Sequence, residues 1–446
     1  MTNSAHPASM AIEPPHSRAS SLPQGTTSHP RDNKKNQKKP ASFPPARCFA
    51  VASNSHWFQT PTLHKAVDCF SMRKLLYLTF SMALIAALTT YAMWAADRPA
   101  GHYLSDLRIN LAVDQGTPAD RGNLLGIQPE LFPTDYQSPD RLRRKLAAYL
   151  QNAQNQGLVN EKTIVVLPEH IGTWLMISGE KDELYQANTI REAMNWLAVS
   201  NPVQFLRALI SATGDNRLDD AHLRMKAKDM ARDYQALFCG LAKEFRVTLV
   251  AGSIVLPEPS VIDGILKVGH GALYNSSVVF GRDGLPIGQP QRQMHPVFNR
   301  QDVLHANGGE SLTVVDTPAG RLGVLIGRDS WYPDNYRLLD DQGAQLVAVP
   351  AFVNGRNTWE EPWQGYKGQT PAVVSLKAGE VSEGQAWQRL TLTAQPPASQ
   401  AIAGISVFLR GQFWDQGSAG QSFFSRDAQH IAGDPVRGAR LLNLWL

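Results

Sequence analysis

The stretch GVLIGRDSWYP, residues 323–333, has the form of an apolar strand that delivers a polar turn into a cleft. The turn carries Gly327, Arg328 and Asp329, with Ser330 as the nearest hydroxyl. A guanidinium at the foot of a cleft binds carboxylates or polar amides through two parallel hydrogen bonds, although Arg328 beside Asp329 also reads as a local charge pair. Ser330 is a poor nucleophile, because neighbouring strand residues alternate in direction and a serine needs an activating base. A second polar point is Glu169, which closes the apolar run TIVVLPE. A buried, unpaired carboxylate is costly, so Glu169 either pairs with a cation such as Arg328 or Arg292 or faces a cleft where it can move protons. The segment QPQRQMHPVF supplies Arg292, Gln293 and His295, the last as a pocket residue or a hydrogen-bonded structural histidine.

Metal and disulfide chemistry find little support. The cysteines are Cys48, Cys69 and Cys239, with no Cys-x-x-Cys or Cys/His spacing, so neither a disulfide framework, a metal site nor a cofactor is expected. Cys239 lies on the helical apolar period of ALFCGLAKEF and reads as a packed thiol.

These residues need a scaffold, and the 446-residue chain, 43% hydrophobic, is long enough for a large core. From about residue 102 short β-like runs alternate with helical periods, which predicts an α/β body. The expected strands are RINLAVDQ, TIVVLPE, VTLVAGSIVL, YNSSVVFG, LTVVDTP, RLGVLIG and AQLVAVPAF. Helices are expected over 138–156 and about 221–245, with further helical material in the long connection 176–220 that follows Glu169. The tryptophans of DSWYP and NTWEEPWQGY suit core packing, an aromatic wall or an oligomer contact.

The N-terminal part has a different character. Residues 1–71 carry eight basic and three acidic residues, +5 of a whole-chain charge of +4, which leaves the remainder at −1. The basic balance therefore belongs to a Pro-, Ser- and Lys-rich tail, expected to be disordered, and marks no nucleic-acid face on the body. Arg73 and Lys74 precede an uncharged run over 75–96, long enough to cross a bilayer once, with Tyr91 and Trp94 suited to the far interface. The charge order predicts a single-pass membrane protein whose body lies on the outer, periplasmic or extracytoplasmic face. A secreted product of signal cleavage is the alternative, but the run is long for a signal core and lacks a clean Ala-x-Ala. Met72 followed by Arg-Lys resembles a natural start, so 1–71 reads as an upstream extension, 72–97 as the anchor and 102–446 as the domain.

Several motifs resemble the nitrilase superfamily of carbon-nitrogen hydrolases: VVLPEH, YNSSVVFGRDGLPIG, ESLTVVDTPAGRLGVLIGRDSWYPDNYRLLDDQGAQLVAVPAF and AGQSFFSRDAQHIAG. The resemblance implies a four-layer α-β-β-α sandwich in which a Glu, a Lys and a Cys meet, the thiolate attacking a nitrile or amide carbon. Glu169 falls on the Glu position. The Lys position falls on Gln293, or on Arg292 if the register slips by one, and a further acid of many members is missing unless Asp302 serves. Gly327 falls on the Cys position and has no side chain with which to form a covalent intermediate.

The resemblance thus implies a pseudoenzyme that binds a small ligand or partner, with Arg292, His295, Arg328 and Asp329 as ligand-binding residues. An atypical amidase or acyltransferase using Glu169 without a covalent intermediate is the alternative. A third reading is a structural subunit that pairs with itself or with a related nitrilase-fold protein.

Overall fold

The computed structural model describes residues 63–98, 105–214, 216–296, 304–305, 312–366, 370–371, 376–392, 401–426, 429–433 and 437–446, with side chains from Ser71 onward. Of the tail expected over residues 1–71, residues 1–62 lie outside the described residues, while 63–71 belong to a helix. The chain divides into two compact units, 1–76 and 77–446. A helix runs from Leu63 to Ala96, and Ser71–Ala96 is long and apolar enough to cross a membrane, with none of its most apolar stretch buried.

Two large sheets build the body. One has eight strands, in the spatial order Ile109–Gln115, Ala439–Trp445, Asn123–Gln128, Thr163–Val166, Thr248–Val250, Leu273–Phe280 and Pro286–Arg292, with Ile254–Pro257 also pairing to Leu273–Phe280. The other has six: Val314–Thr317, Gly320–Val324, Leu346–Ala351, Ala403–Phe408, Phe423–Arg426 and Gln429–Ala432.

Strand alternation sorts the apolar side chains into layers. Ile164 and Val166 face the core between the sheets, with Val324, Ala348 and Ile405 from the second sheet. Val165 faces the opposite side, where Leu146 and Tyr149 of the Pro139–Asn155 helix and Tyr234 and Phe238 of the Ala227–Phe245 helix cover it. Beyond the second sheet, Trp331, Tyr336, Trp363 and Trp387 form a third core with the Pro333–Asp340 and Glu383–Leu390 helices. The result is the four-layer α-β-β-α sandwich. Trp331, Trp359 and Trp363 are thus core residues.

The structure departs from the expected elements at informative places. The strand of TIVVLPE ends at Val166, and VTLVAGSIVL is two strands separated by Ala251–Ser253. Gly252 takes φ +63°, and a Cβ there would overlap the Pro168 carbonyl oxygen. Only glycine reaches that conformation at so close an approach. The two loops are also tied directly: Leu167 N–H donates to Val250 O (3.0 Å), His170 N–H to Ser253 Oγ (2.8 Å) and Gly172 N–H to Ser253 O (2.9 Å). The helix expected over 221–245 is instead two, Arg217–Met225 and Ala227–Phe245, broken at Lys226.

Three strands absent from the sequence expectation, Asn123–Gln128, Ala403–Phe408 and Ala439–Trp445, are buried along their whole length. Strands covered on both faces lose the alternation by which strands are read. The last of them inserts between the first two strands, parallel to one and antiparallel to the other.

Because Gly252 presses on Pro168, Gly252→Ala should force the Glu169 loop outward. The left-handed backbone and the overlap together should destabilise the fold by at least about 2 kcal/mol. Urea denaturation of the two proteins measures this; an unchanged midpoint would contradict the close approach.

Candidate functional site

Glu169, Gln293 and Gly327 arrive from three separate segments and converge. Glu169 follows the Thr163–Val166 strand, Gln293 follows the Pro286–Arg292 strand, and Gly327 opens the turn after Gly320–Val324. Glu169 is 6% exposed, and its Oε1 accepts from Asn275 Nδ2 (2.9 Å) and Gln293 Nε2 (3.3 Å). Gln293 Nε2 also donates to Ile326 O (3.0 Å), and its Oε1 accepts from Asn275 Nδ2 (3.0 Å). The two amides therefore hold each other and the carboxyl in one orientation.

Gly327 has φ +55°, and a Cβ placed on it would lie 2.7 Å from Glu169 Oε2 and 3.1 Å from Gln293 Nε2. The carboxyl and the amide occupy the space that a side chain at residue 327 would need. Burial, reinforced by the nearby Asp329 carboxylate, pushes Glu169 up to about 8, against the opposing pull of Asn275, Arg328 and Gln293. At neutral pH it is therefore mainly a neutral acid. With Oε1 occupied by two N–H donors, the proton belongs on Oε2, directed to the Gly327 side. His170 lies 3.7 Å from Glu169 Oε1, but burial depresses it to about 3, so the contact is not an ion pair at neutral pH.

Arg328 lines the same cavity without pairing to Glu169. Its Nη2 donates to Glu383 Oε1 (2.9 Å) and its guanidinium carbon sits 4.5 Å from the Trp331 ring centroid. Its Nη1 is buried with no hydrogen-bond partner among the described residues. Asp329, 1% exposed, accepts from the backbone N–H groups of Met294 (2.9 Å) and His295 (2.7 Å), fastening the Gly327 turn to the Gln293 segment. Burial raises its pKa, and the His295 hydrogen bond opposes the shift. The His295 ring stacks on Tyr332 with centroids 3.5 Å apart. Arg292 lies over the Tyr274 ring (4.4 Å) and donates to Pro259 O (3.2 Å). Gln293, rather than Arg292, therefore faces Glu169.

The remaining nucleophile candidates are engaged elsewhere. Ser330 Oγ donates to Gly327 O (2.8 Å) and lies 2.9 Å from Thr391 Oγ1, as a fully buried structural hydroxyl. Cys239 sits on the Ala227–Phe245 helix beside Gly284. Asp302 lies outside the described residues. Among the described residues no group of three or more His, Cys, Asp or Glu side chains is placed to hold a metal ion.

A cavity of about 220 Å³ adjoins the cluster. Glu169, Gln293 and Arg328 contribute polar groups to it, while Trp174, Met176, Ile190, Met194, Leu223, Val255 and Phe352 supply an apolar wall. Much of this wall comes from the connection after Glu169, whose length in the sequence already points to a segment that caps or shapes a site, although its individual lining residues are not legible there. Sequence reasoning missed Asn275, whose place in YNSSVVFG gives no hint that its amide would bridge two other segments.

The fold and the polar cluster define a carbon-nitrogen hydrolase scaffold, and the chain belongs to the carbon-nitrogen hydrolase family, whose model matches residues 85–370. Among individual relatives, deaminated glutathione amidase of Yersinia enterocolitica is 46% identical over 72 residues, covering 16% of this chain and 24% of the relative. The chloroplastic omega-amidase of Arabidopsis thaliana is 31% identical over 137 residues, 28% of this chain and 33% of the relative. The matched stretches thus span only about a quarter to a third of these relatives. An amidase structure from Nesterenkonia sp. superposes with a TM-score of 0.41 at 14% identity, covering 74% of this chain and 92% of that one.

The protonation of Glu169 predicts a pH-dependent stability. Its folded-state pKa, about 8, exceeds the ordinary 4.5, so the folded protein holds the proton longer than the unfolded chain. The contribution is fully present below about pH 4.5 and is lost as pH rises through 8, with a slope of up to about 1.4 kcal/mol per pH unit. Glu169→Gln, which keeps an acceptor for Asn275, should flatten that slope and melt above the parent protein at pH 9. Parallel melting curves from pH 5 to 9 would expose the error if both proteins lost stability equally.

Proposed function

We propose that this protein is a membrane-anchored nitrilase-fold binding protein, silent toward amides and nitriles by the thiol route, whose ligand is a small molecule with a carboxylate or carboxamide end and an apolar body. The carrying observation is that the Glu169 carboxyl fills the space beside Gly327 where a nucleophilic side chain would stand. Covalent catalysis has no atom left to begin it. In the best-studied serine hydrolase, losing one member of such a unit costs about as much as losing all of it, on the order of a millionfold.

What remains suits recognition. The neutral Glu169 acid can donate its O–H to a carbonyl oxygen, and the unpartnered Arg328 Nη1 can donate to a carboxylate or amide oxygen. The apolar cavity wall takes the rest of the ligand. The Ser71–Ala96 helix supports anchoring, and Arg73 and Lys74 at its start favour a cytoplasmic N-terminal side with the body outside. Assembly with a second copy or a related chain belongs to this reading, as an outward arrangement the pocket does not require.

The test is to incubate the full chain with short amides, nitriles and N-carbamoyl compounds and measure ammonia, together with thermal shifts for carboxylates bearing apolar tails. No ammonia release and a ligand-dependent rise in melting temperature, reduced at least tenfold in apparent affinity by Arg328→Gln, are expected. Ammonia release that disappears in Glu169→Gln would overturn the silent reading and assign this site a water-directing acid instead.

A further inference from the structure

The body carries an apolar stripe beside the end of the candidate span. Val199 lies in the last turn of the Ile190–Ser200 helix, and Val203, Leu206 and Ile210 follow on the Pro202–Ser211 helix. The spacing of three and four residues keeps Val203, Leu206 and Ile210 on one face of their helix, and Val199 precedes them across the break at Asn201. All four are open to solvent, at 47%, 57%, 59% and 74% exposure in that order. The Pro202–Ser211 helix buries Ala208 and packs Phe205 and Leu209 against the same inner cluster, which leaves Val203, Leu206 and Ile210 as a second apolar flank open to solvent. Scattered exposed aliphatic residues are ordinary, but a continuous stripe along a helix marks a surface that something covers.

The position of the stripe identifies what covers it. The Tyr91 hydroxyl donates to the carbonyl of Val199, the residue at which the stripe begins. Trp94 packs against Trp196 at 6.3 Å, and the Lys181 ammonium lies 4.4 Å from the Trp94 ring centroid. Arg98 Nη2 then donates to Ser200 O (3.2 Å) and Asn201 Oδ1 (3.3 Å). The last turns of the apolar helix are therefore fastened to the same helix pair that bears the stripe. Tyr and Trp at a span's end belong at the level of the lipid headgroups, which puts Val199 at that level too.

We infer that the Pro202–Ser211 helix lies on the bilayer, with Val203, Leu206 and Ile210 inserted at the interface. This rests on the anchored reading given above. An amphipathic helix held in place by an adjacent span needs little affinity of its own, because the anchor keeps it at high local concentration. The contact would give the single span a second point of attachment and restrain the body's rotation about it.

Spin labels test this on the full chain, carrying Cys48→Ser, Cys69→Ser and Cys239→Ala, in vesicles of phosphatidylethanolamine and phosphatidylglycerol. Single labels are introduced through Leu84→Cys in the span, Leu206→Cys and Ile210→Cys on the stripe, and Gln204→Cys as the exposed control on the same helix. Collisions with lipid-soluble oxygen and with a water-soluble nickel chelate are compared. Oxygen should exceed nickel at least threefold at 84, 206 and 210, with the reverse at 204. An oxygen-rich label at 84 with nickel-accessible labels at 206 and 210 would overturn the stripe's role while leaving the anchor intact. Nickel access at 84 as well would overturn both. Protection of 206 and 210 from both reagents would overturn the inference in favour of a second copy covering the stripe.

Discussion

The site depends on keeping one carboxyl group buried without a cation. Glu169 sits below the surface at the end of a central strand, where charge is penalised by the loss of water. Two amides, from Asn275 and Gln293, satisfy one of its oxygens, and neither brings a formal charge. Retaining the proton resolves the conflict. The loop can be this deep because Gly252 allows the neighbouring backbone to pass against Pro168.

Seen from that carboxyl, the departures at residues 293 and 327 are linked. The resemblance to carbon-nitrogen hydrolases assigns an ammonium to the position of Gln293 and a thiol to that of Gly327. An ammonium within hydrogen-bond reach of Glu169 would draw off its proton. With Gln293 there, the carboxyl stays neutral, and with no side chain on Gly327 opposite it, the acid occupies the space beside that residue. The cluster holds neither a cation at residue 293 nor a thiol at residue 327, and its acid is stable uncharged. Nearby charges are partnered separately: Arg328 with Glu383, and Asp329 with the backbone of Met294 and His295.

The cavity and the stripe share one region of the chain. The connection after Glu169 supplies Met176, Ile190 and Met194 to the cavity wall and Val199, Val203, Leu206 and Ile210 to the outer face. One connection between two strands therefore shapes both the pocket and a surface beside the candidate span. Its helices are short, and capping contributes to their boundaries, as where Thr189 accepts from Glu192 N–H at the start of Ile190–Ser200.

Sequence alone determined what depends on residue identity and local period. That includes the α/β body, the apolar run over 75–96, the absence of a nucleophilic side chain at residue 327 and the apolar strands leading to Glu169 and Gly327. It also brought Gln293 and Arg292 forward as rivals for one position. Choosing between them took the tertiary structure, because strand direction separates adjacent residues: Gln293 turns to Glu169, and Arg292 to Tyr274. The pairing of Arg328 with Glu383, the bridging amide of Asn275 and the insertion of Ala439–Trp445 into the first sheet were likewise beyond local reading. Each depends on segments brought together from tens to hundreds of residues apart, and no local pattern of charge or hydrophobicity records such a meeting.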